Sequence, residues 1–260
     1  MIVIKAHAYG NDFLLVPVEQ VAAAADRAAL TRALCARHTG VGADGVIFYT
    51  AEGRMDLLNA DGSYSEVSGN GVRCLAAWLA RERRARAGAF LDIATDAGVK
   101  RLELLDADGR RYTFRAAMGQ PEALRQQTID VDGTPIATVT LRVGNPQCVV
   151  LGDVTHERLH RIAAKLAVHP VFPQGSNVEL AAVEAPDRVR ILIWERGVGP
   201  TEASGTGACA SAVAAMAFGG AGRDVQVASP GGTQRVEWTE DGIFLTGWAD
   251  LVCEGRIIER

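Results

Sequence analysis

Serine stands before Gly-x-Gly twice in the chain, in EVSGNGVRC at residues 66–74 and in EASGTGACA at residues 202–210. An apolar run follows each time. The start of a helix carries unsatisfied backbone N–H groups and a partial positive charge, so it attracts anions. Glycines at 69, 71, 205 and 207 would let a ligand approach the backbone closely. Two such helix starts could grip one carboxylate and offer Ser68 and Ser204 to opposite faces of the carbon beside it. That chemistry is two-base proton transfer, in which one group removes a proton and its opposite number returns one. Serine is also a preferred N-cap residue, so each loop taken singly reads as a helix cap. The duplication argues for more than capping. No GxxxxGK[ST] occurs, which sets a phosphate-binding loop aside.

His156 and His160 have the His-Glu-x-x-His spacing that puts two imidazoles on one helix face for zinc. Leu159, Ile162, Ala163 and Leu166 make the buried stripe of that short helix, and the histidines fall towards its edge. The nearest further imidazole, His169, sits against Pro170. No metal site is expected.

These residues need a scaffold, and hydrophobic patterning outlines one. Residues 1–5 and 13–18 read as strands about the turn Tyr9-Gly10-Asn11-Asp12, and 21–38 as a helix ended by Gly40 and Gly42. Strands at 45–50 and 54–58 lead through NADGSYSEVSGNG to a helix near 71–86. Strands follow at 91–95, 99–105 and 111–117. The pattern then repeats, with strands near 128–143 and 147–152 and a helix near 155–167. Strands at 177–183 and 188–195 precede the loop RGVGPTEASGTG and a helix near 207–218. Strands at 225–228 and 234–238 and a short terminal one around 249–258 complete the chain. The loop serines lie 136 residues apart, and the downstream glycines Gly98 and Gly232 lie 134 apart. One near-constant offset at two landmarks signals internal duplication. The expected fold is α+β, in two pseudo-symmetric halves, each a strongly curved, mostly antiparallel sheet wrapped around a central helix. The N-terminal half is expected at 1–117, completed by the last strand at about 246–260. The C-terminal half is expected at 118–245, with the active site in the cleft between them.

With 260 residues, 48% hydrophobic and 22% charged, the chain can bury a sizeable core. Its net charge of −4 leaves no footprint for nucleic acid or an anionic membrane. Arg81, Arg83, Arg84 and Arg86 read as a solvated helix end. No run of about 18 apolar residues is present. The opening MIVIKAHAYGNDF has no basic stretch leading into a long apolar one, so no secretory signal is expected. Five cysteines without a CxxC pair point to a reduced, cytoplasmic setting.

The ordered series HAYGNDF (7–13), GVGADG (40–45), NADGS (59–63), GNGVRC (69–74), VGNP (143–146), GSNVE (175–179), WERGVG (194–199), SGTGACA (204–210) and PGG (230–232) resembles the diaminopimelate epimerases. The resemblance runs nearly end to end. It implies a PLP-independent epimerase that interconverts LL- and meso-diaminopimelate, a small-molecule substrate, without metal or organic cofactor. It further implies that Asn11, Asn59, Asn145, Asn177 and Arg196 hold the distal end of the substrate. Gly69, Asn70, Gly205 and Thr206 would hold the reacting α-carboxylate and amine. Glu195 would belong to the distal wall and tune the acid–base pair. A homodimer is implied at the family level. A guanidinium at Arg196 suits the role, because it can bind a carboxylate through two parallel hydrogen bonds.

Three positions depart from the family pattern. Ser68 and Ser204 stand where the family has its two cysteines, and Gln147 stands where it has histidine. A thiol near a helix start loses its proton around neutral pH, because the dipole depresses a reference pKa of about 8.5. A serine hydroxyl needs an adjacent general base, and the sequence reveals none beside either serine. Cys74 and Cys209 lie further along the helices and read as packed inside. Three explanations stay open. Both cysteines could have been exchanged deliberately, the chain could be a natural serine-bearing epimerase, or it could be a divergent member that isomerises or dehydrates another amino acid, or only binds it. Gln147 favours natural divergence, since a substrate trap does not need it.

Overall fold

The computed structural model describes residues 1–22 and 26–258. The chain divides into two compact units, one of Met1–Ala116 with Gly247–Arg260 and one of Ala117–Thr246.

In the first unit β1 (Ile2–Ala8) turns at Gly10 into β2 (Asn11–Pro17), its antiparallel neighbour. Helix α1 (Arg27–Cys35) crosses over to β3 (Gly45–Tyr49), which runs parallel to β2. Strand β4 (Met55–Asn59) and the two-residue β5 (Tyr64–Ser65) continue antiparallel. Helix α2 (Gly69–Glu82) follows, then the meander of β6 (Phe90–Thr95), β7 (Gly98–Asp108) and β8 (Arg111–Gly119). Residues 23–25 of the expected first helix lie outside the described residues.

The second unit repeats the plan. β9 (Glu122–Val131) and β10 (Thr134–Val143) pair antiparallel, and β10 turns at Gly144 into β11 (Asn145–Leu151). Helix α3 (His156–Ala167) crosses over to β12 (Asn177–Ala185), parallel to β11. β13 (Arg188–Glu195) and β14 (Gly199–Thr201) continue antiparallel and lead to α4 (Gly205–Phe218). β15 (Asp224–Ser229), β16 (Gly232–Thr239) and β17 (Gly242–Arg256) close the chain. β17 pairs with β16 through residues 242–246 and with β1 through residues 250–256.

The repeat is visible at matching details. Gly10 and Gly144 both turn their hairpins at positive φ, +86° and +76°. Thr95 Oγ1 donates to the Gly98 carbonyl at 2.7 Å, and Ser229 Oγ donates to the Gly232 carbonyl at 3.1 Å. The α+β class and the duplication expected from the sequence are therefore present.

Each unit wraps its sheet around one helix. α2 is buried without interruption from Asn70 to Ala80, and α4 from Gly207 to Ala215. A helix that is apolar nearly all round belongs in a core. The floor beneath α4 includes Val149, Ala181 and Ile193 on β11, β12 and β13. The opposite face of the same strands, with Val178 and Leu180, packs on Leu159, Ile162, Ala163 and Leu166 of α3.

Some boundaries differ from expectation. α2 starts two residues sooner because Ser68 caps it, and it ends at Glu82 because Arg84 is left-handed at φ +51°. β5 and β14 form inside stretches that read as polar loops. The last strand is 15 residues long rather than short, because its burial alternation begins at Gly242 and carries through TGWAD. Among the described residues no helix is long and apolar enough to cross a membrane.

Candidate active site

The two serines occupy the same local structure. Ser68 is the N-cap of α2 at φ −130°, ψ 124°, and its Oγ accepts the Gly71 N–H at 3.1 Å. Ser204 is the N-cap of α4 at φ −137°, ψ 129°, and its Oγ accepts the Gly207 N–H at 3.2 Å. Both helices are 14 residues long. The capping reading is thus correct for each serine as far as it goes. Capping uses an oxygen lone pair and leaves the hydroxyl proton free to donate.

In the first unit the structure brings Asn11 and Asn70 together. Asn70 Nδ2 donates to Asn11 Oδ1 at 3.2 Å, and Asn11 Nδ2 donates to Asp44 Oδ2 at 2.8 Å. Arg73, buried one turn along α2, donates to Asn70 Oδ1 and lies over the Tyr9 ring. These partners fix which way both amides point. Asp44 and Arg73 were not singled out from the sequence, although both sit in the motifs GVGADG and GNGVRC. Asn59 stands apart from this chain of bonds and donates to Ser63 Oγ at 3.0 Å. Gly69 is exposed at the first position of α2 and has open space where a Cβ would be.

In the second unit Asn177 and Arg196 are joined, because the Arg196 N–H donates to Asn177 Oδ1 at 2.9 Å. The Arg196 guanidinium donates to the Gln174 carbonyl and folds over Gly175, where a Cβ would meet Arg196 Cδ at 2.8 Å. Asn145 accepts from Gln147 Nε2 at 2.6 Å. Gly205 and Thr206 form the half-buried first turn of α4, and Thr206 Oγ1 lies 3.5 Å from Ser204 Oγ. The departure at Gln147 therefore has a structural role, holding Asn145 by its side-chain oxygen.

Glu195 changes the chemical reading of Ser204. It ends β13, and burial pushes its carboxyl above the usual carboxylate range, while a hydrogen bond with the Ser204 side chain pulls the other way. The sequence revealed no base beside either serine, and for Ser204 the structure places this carboxyl next to its hydroxyl. A turn and the short β14 bring position 195 back beside position 204, a relation that sequence separation conceals.

Glu179, the fifth residue of the motif GSNVE, was not among the expected site residues. It is 0% exposed in β12, and neither carboxyl oxygen has a hydrogen-bond partner among the described residues. Its strand neighbours across the sheet are Val149 and Ile193, so it shares the α4 face with Gln147, Asn177 and Glu195. Burial pushes its carboxyl well above the usual range, and the Glu195 charge adds to the effect. A helix start can favour an anion by up to about 2 kcal/mol. Stripping an unpaired carboxylate of water costs several kcal/mol, so burial favours the neutral acid. The signal available in sequence was one acidic residue inside the otherwise apolar run NVELAAV.

Cys74 and Cys209 are buried as expected, and burial raises the Cys74 thiol far above a reactive range. His160 packs edge-on against Trp194 with ring centroids 5.6 Å apart, while His156 is exposed at the start of α3.

The diaminopimelate epimerase family pattern matches residues 3–124 and 139–252. A diaminopimelate epimerase of Desulforudis audaxviator is 39% identical over 272 residues, covering 97% of this chain and 97% of the relative. One from Desulfitobacterium hafniense is 37% identical, covering 100% of this chain and 99% of the relative. This chain belongs to the diaminopimelate epimerase family. It is therefore an isomerase of the racemase and epimerase class. Solved structures share the fold at low identity. A predicted epimerase of Pseudomonas aeruginosa aligns with a TM-score of 0.73 at 17% identity, covering 100% of this chain and 99% of the other. A hydroxyproline epimerase of Agrobacterium vitis aligns with a TM-score of 0.66 at 16% identity, covering 99% of this chain and 90% of the other.

Proposed function

We propose that the chain interconverts LL- and meso-diaminopimelate by proton transfer at the α-carbon, with Ser68 and Ser204 as the two transfer groups. In this reading Gly69, Asn70, Gly205 and Thr206 receive the α-carboxylate and amine at the two helix starts. Asn11, Asn59, Asn145, Asn177 and Arg196 bind the distal amino-acid end. A monoamino acid would leave that distal wall unpaired, at about 1–3 kcal/mol per stranded group.

The observation that carries the proposal is the Glu195 carboxyl beside the Ser204 hydroxyl. As carboxylate, Glu195 accepts the Ser204 proton while Ser204 Oγ takes the proton from the α-carbon, so one proton moves from substrate to the Ser204–Glu195 pair. Backbone N–H groups at the helix start stabilise the negative charge that develops on the substrate carboxylate. Ser68 then gives its hydroxyl proton to the opposite face, and the site resets as solvent reprotonates the Ser68 oxygen and the Ser204–Glu195 pair releases the proton it took. The reverse reaction retraces these transfers. No step requires a metal or organic cofactor.

Exchange of the α-hydrogen of diaminopimelate into deuterated water, followed by NMR, tests the assignment. The chain as it stands should exchange, and Ser204→Ala should abolish exchange. If the chain is silent but Ser68→Cys with Ser204→Cys restores turnover, the serine chemistry proposed here is wrong and the chain is a disabled epimerase. Binding without exchange even in that double variant would point to a non-epimerising relative.

A further inference from the structure

The first turn of α4 rests on polar side chains in an otherwise apolar core. Gln147, Glu179 and Glu195 line one face of β11, β12 and β13, the face that packs on α4. Gln147 Oε1 and both Glu179 oxygens are buried without partners among the described residues, and so is Ser211 Oγ, one turn beyond Gly207. Gly207 allows this layout. A Cβ there would lie 2.8 Å from Glu179 Oε1 and 3.3 Å from Ser204 Oγ, so the carboxyl and the hydroxyl flank the same point of the helix start. An unpartnered carboxyl held this close to a working serine is not a packing filler, since an apolar side chain would fill the same space without the cost of burying polar atoms.

The groups around Glu179 limit what it can do. On β13 the acidic neighbour is Glu195, whose charge opposes ionisation of Glu179. On β11 the titratable residue is Cys148, a buried thiol whose own ionisation a Glu179 anion opposes. On α4 the titratable residue is Cys209, buried in the apolar cluster that the helix shares with these strands. α3 packs on the opposite face of the sheet, against Val178 and Leu180. These titratable neighbours are acids and thiols, so none of them offsets a second anion.

We propose that Glu179 is a positioning residue of the Ser204 loop that works as the un-ionised acid. In that form it leaves Glu195 as the one anion beside Ser204, and on losing its proton it switches that half of the site off. The proposal rests on the proton-transfer reading of Ser204. Ionised Glu179 would place a second negative charge under the helix start that receives the substrate carboxylate, weakening both substrate binding and the stabilisation of charge developing on it.

Two measurements on the 260-residue chain test it. The first does not depend on activity. With glutamate labelled at the carboxyl carbon, NMR of the chain, Glu179→Gln and Glu195→Gln follows each carboxyl through pH. The resonance lost in Glu179→Gln should remain un-ionised through neutral pH, and its midpoint should move down in Glu195→Gln. A Glu179 carboxyl already ionised at pH 7, or a midpoint indifferent to Glu195, overturns the proposal even if the chain never turns over diaminopimelate. The second is the pH profile of α-hydrogen exchange. Above the Glu179 midpoint kcat/KM should fall about tenfold per pH unit, and Glu179→Gln should lose that alkaline fall. A merely structural role would change the height of the profile and keep its shape. An alkaline fall that persists unchanged in Glu179→Gln overturns the proposal.

Discussion

The backbone N–H of Arg196 donates to Asn177 Oδ1 at 2.9 Å, so a side chain at the start of β12 fixes the backbone just past the end of β13. Arg196 is thereby held at its main chain, while its guanidinium rests on the Gln174 carbonyl over Gly175. A planar fork recognises a carboxylate best when its base is fixed.

Asn177→Ala is expected to weaken binding of diaminopimelate more than it slows chemistry. Losing the acceptor strands the Arg196 N–H at about 1–3 kcal/mol, which corresponds to a rise in KM of roughly 5- to 150-fold. Asn177→Asp keeps an oxygen in place and should recover most of the loss. Steady-state kinetics decide the matter. A fall in kcat at constant KM would place Asn177 in the chemical step instead.

As the proposed base, Glu195 should set the acid side of the pH profile. Its carboxylate would be the competent form, and burial holds its proton on to higher pH than usual. Activity should therefore rise with pH through a range above the ordinary carboxylate value of 4.5. Glu195→Gln should cost about 10²- to 10⁴-fold in exchange rate, the usual worth of a general base, and should lose this acid limb. An acid limb that survives in Glu195→Gln would assign it to another group.

The pair Gly69 and Gly207 separates two uses of glycine at a helix start. A Cβ on Gly207 would press against Glu179 Oε1 at 2.8 Å, whereas a Cβ on Gly69 would meet nothing within 4 Å. Gly207→Ala should destabilise the fold by about 1–3 kcal/mol through overpacking. Gly69→Ala should stay within about 0.5 kcal/mol of the starting protein. Urea unfolding of both variants checks this, and equal effects would mean that the Glu179 carboxyl is not held against the turn.

Much of this architecture was legible in the sequence, and the reason is local. Ser68 and Ser204 announce their caps because a cap involves only the next three residues. Gly98 and Gly232 mark hairpins for the same reason. The orienting bonds of Asn11 and Asn70 were not legible, since Asp44 reaches Asn11 from 33 positions away and Arg73 reaches Asn70 from the buried side of α2. Glu195 beside Ser204 was hidden by the intervening turn and β14. Glu179 was hidden for another reason. A buried carboxyl looks, as a letter in a strand, like any charged residue that should face solvent. The long β17 escaped because the stretch TGWAD reads as a break. There Gly247 simply lets Tyr9 pack closely, with its hydroxyl 3.2 Å from where a Cβ would be.

The state of Glu179 also has a stability signature that can be measured without substrate. In the unfolded chain its carboxyl titrates near the ordinary value of 4.5, and in the folded chain well above it. Between those two points the folded protein keeps a proton that the unfolded chain has released. Stability therefore falls as pH rises across that window, by about 1.4 kcal/mol per pH unit for one proton, and levels off once the folded group ionises. Glu195, also raised, adds to the slope over its own window. Glu179→Gln removes the Glu179 share, so its stability relative to the starting protein should improve steadily from about pH 4.5 upward. Urea midpoints collected from about pH 4.5 to about pH 8 on both proteins give the comparison. A difference that stays flat with pH would mean that Glu179 ionises normally in the folded chain, and the picture of a neutral acid beneath Ser204 would fall with it.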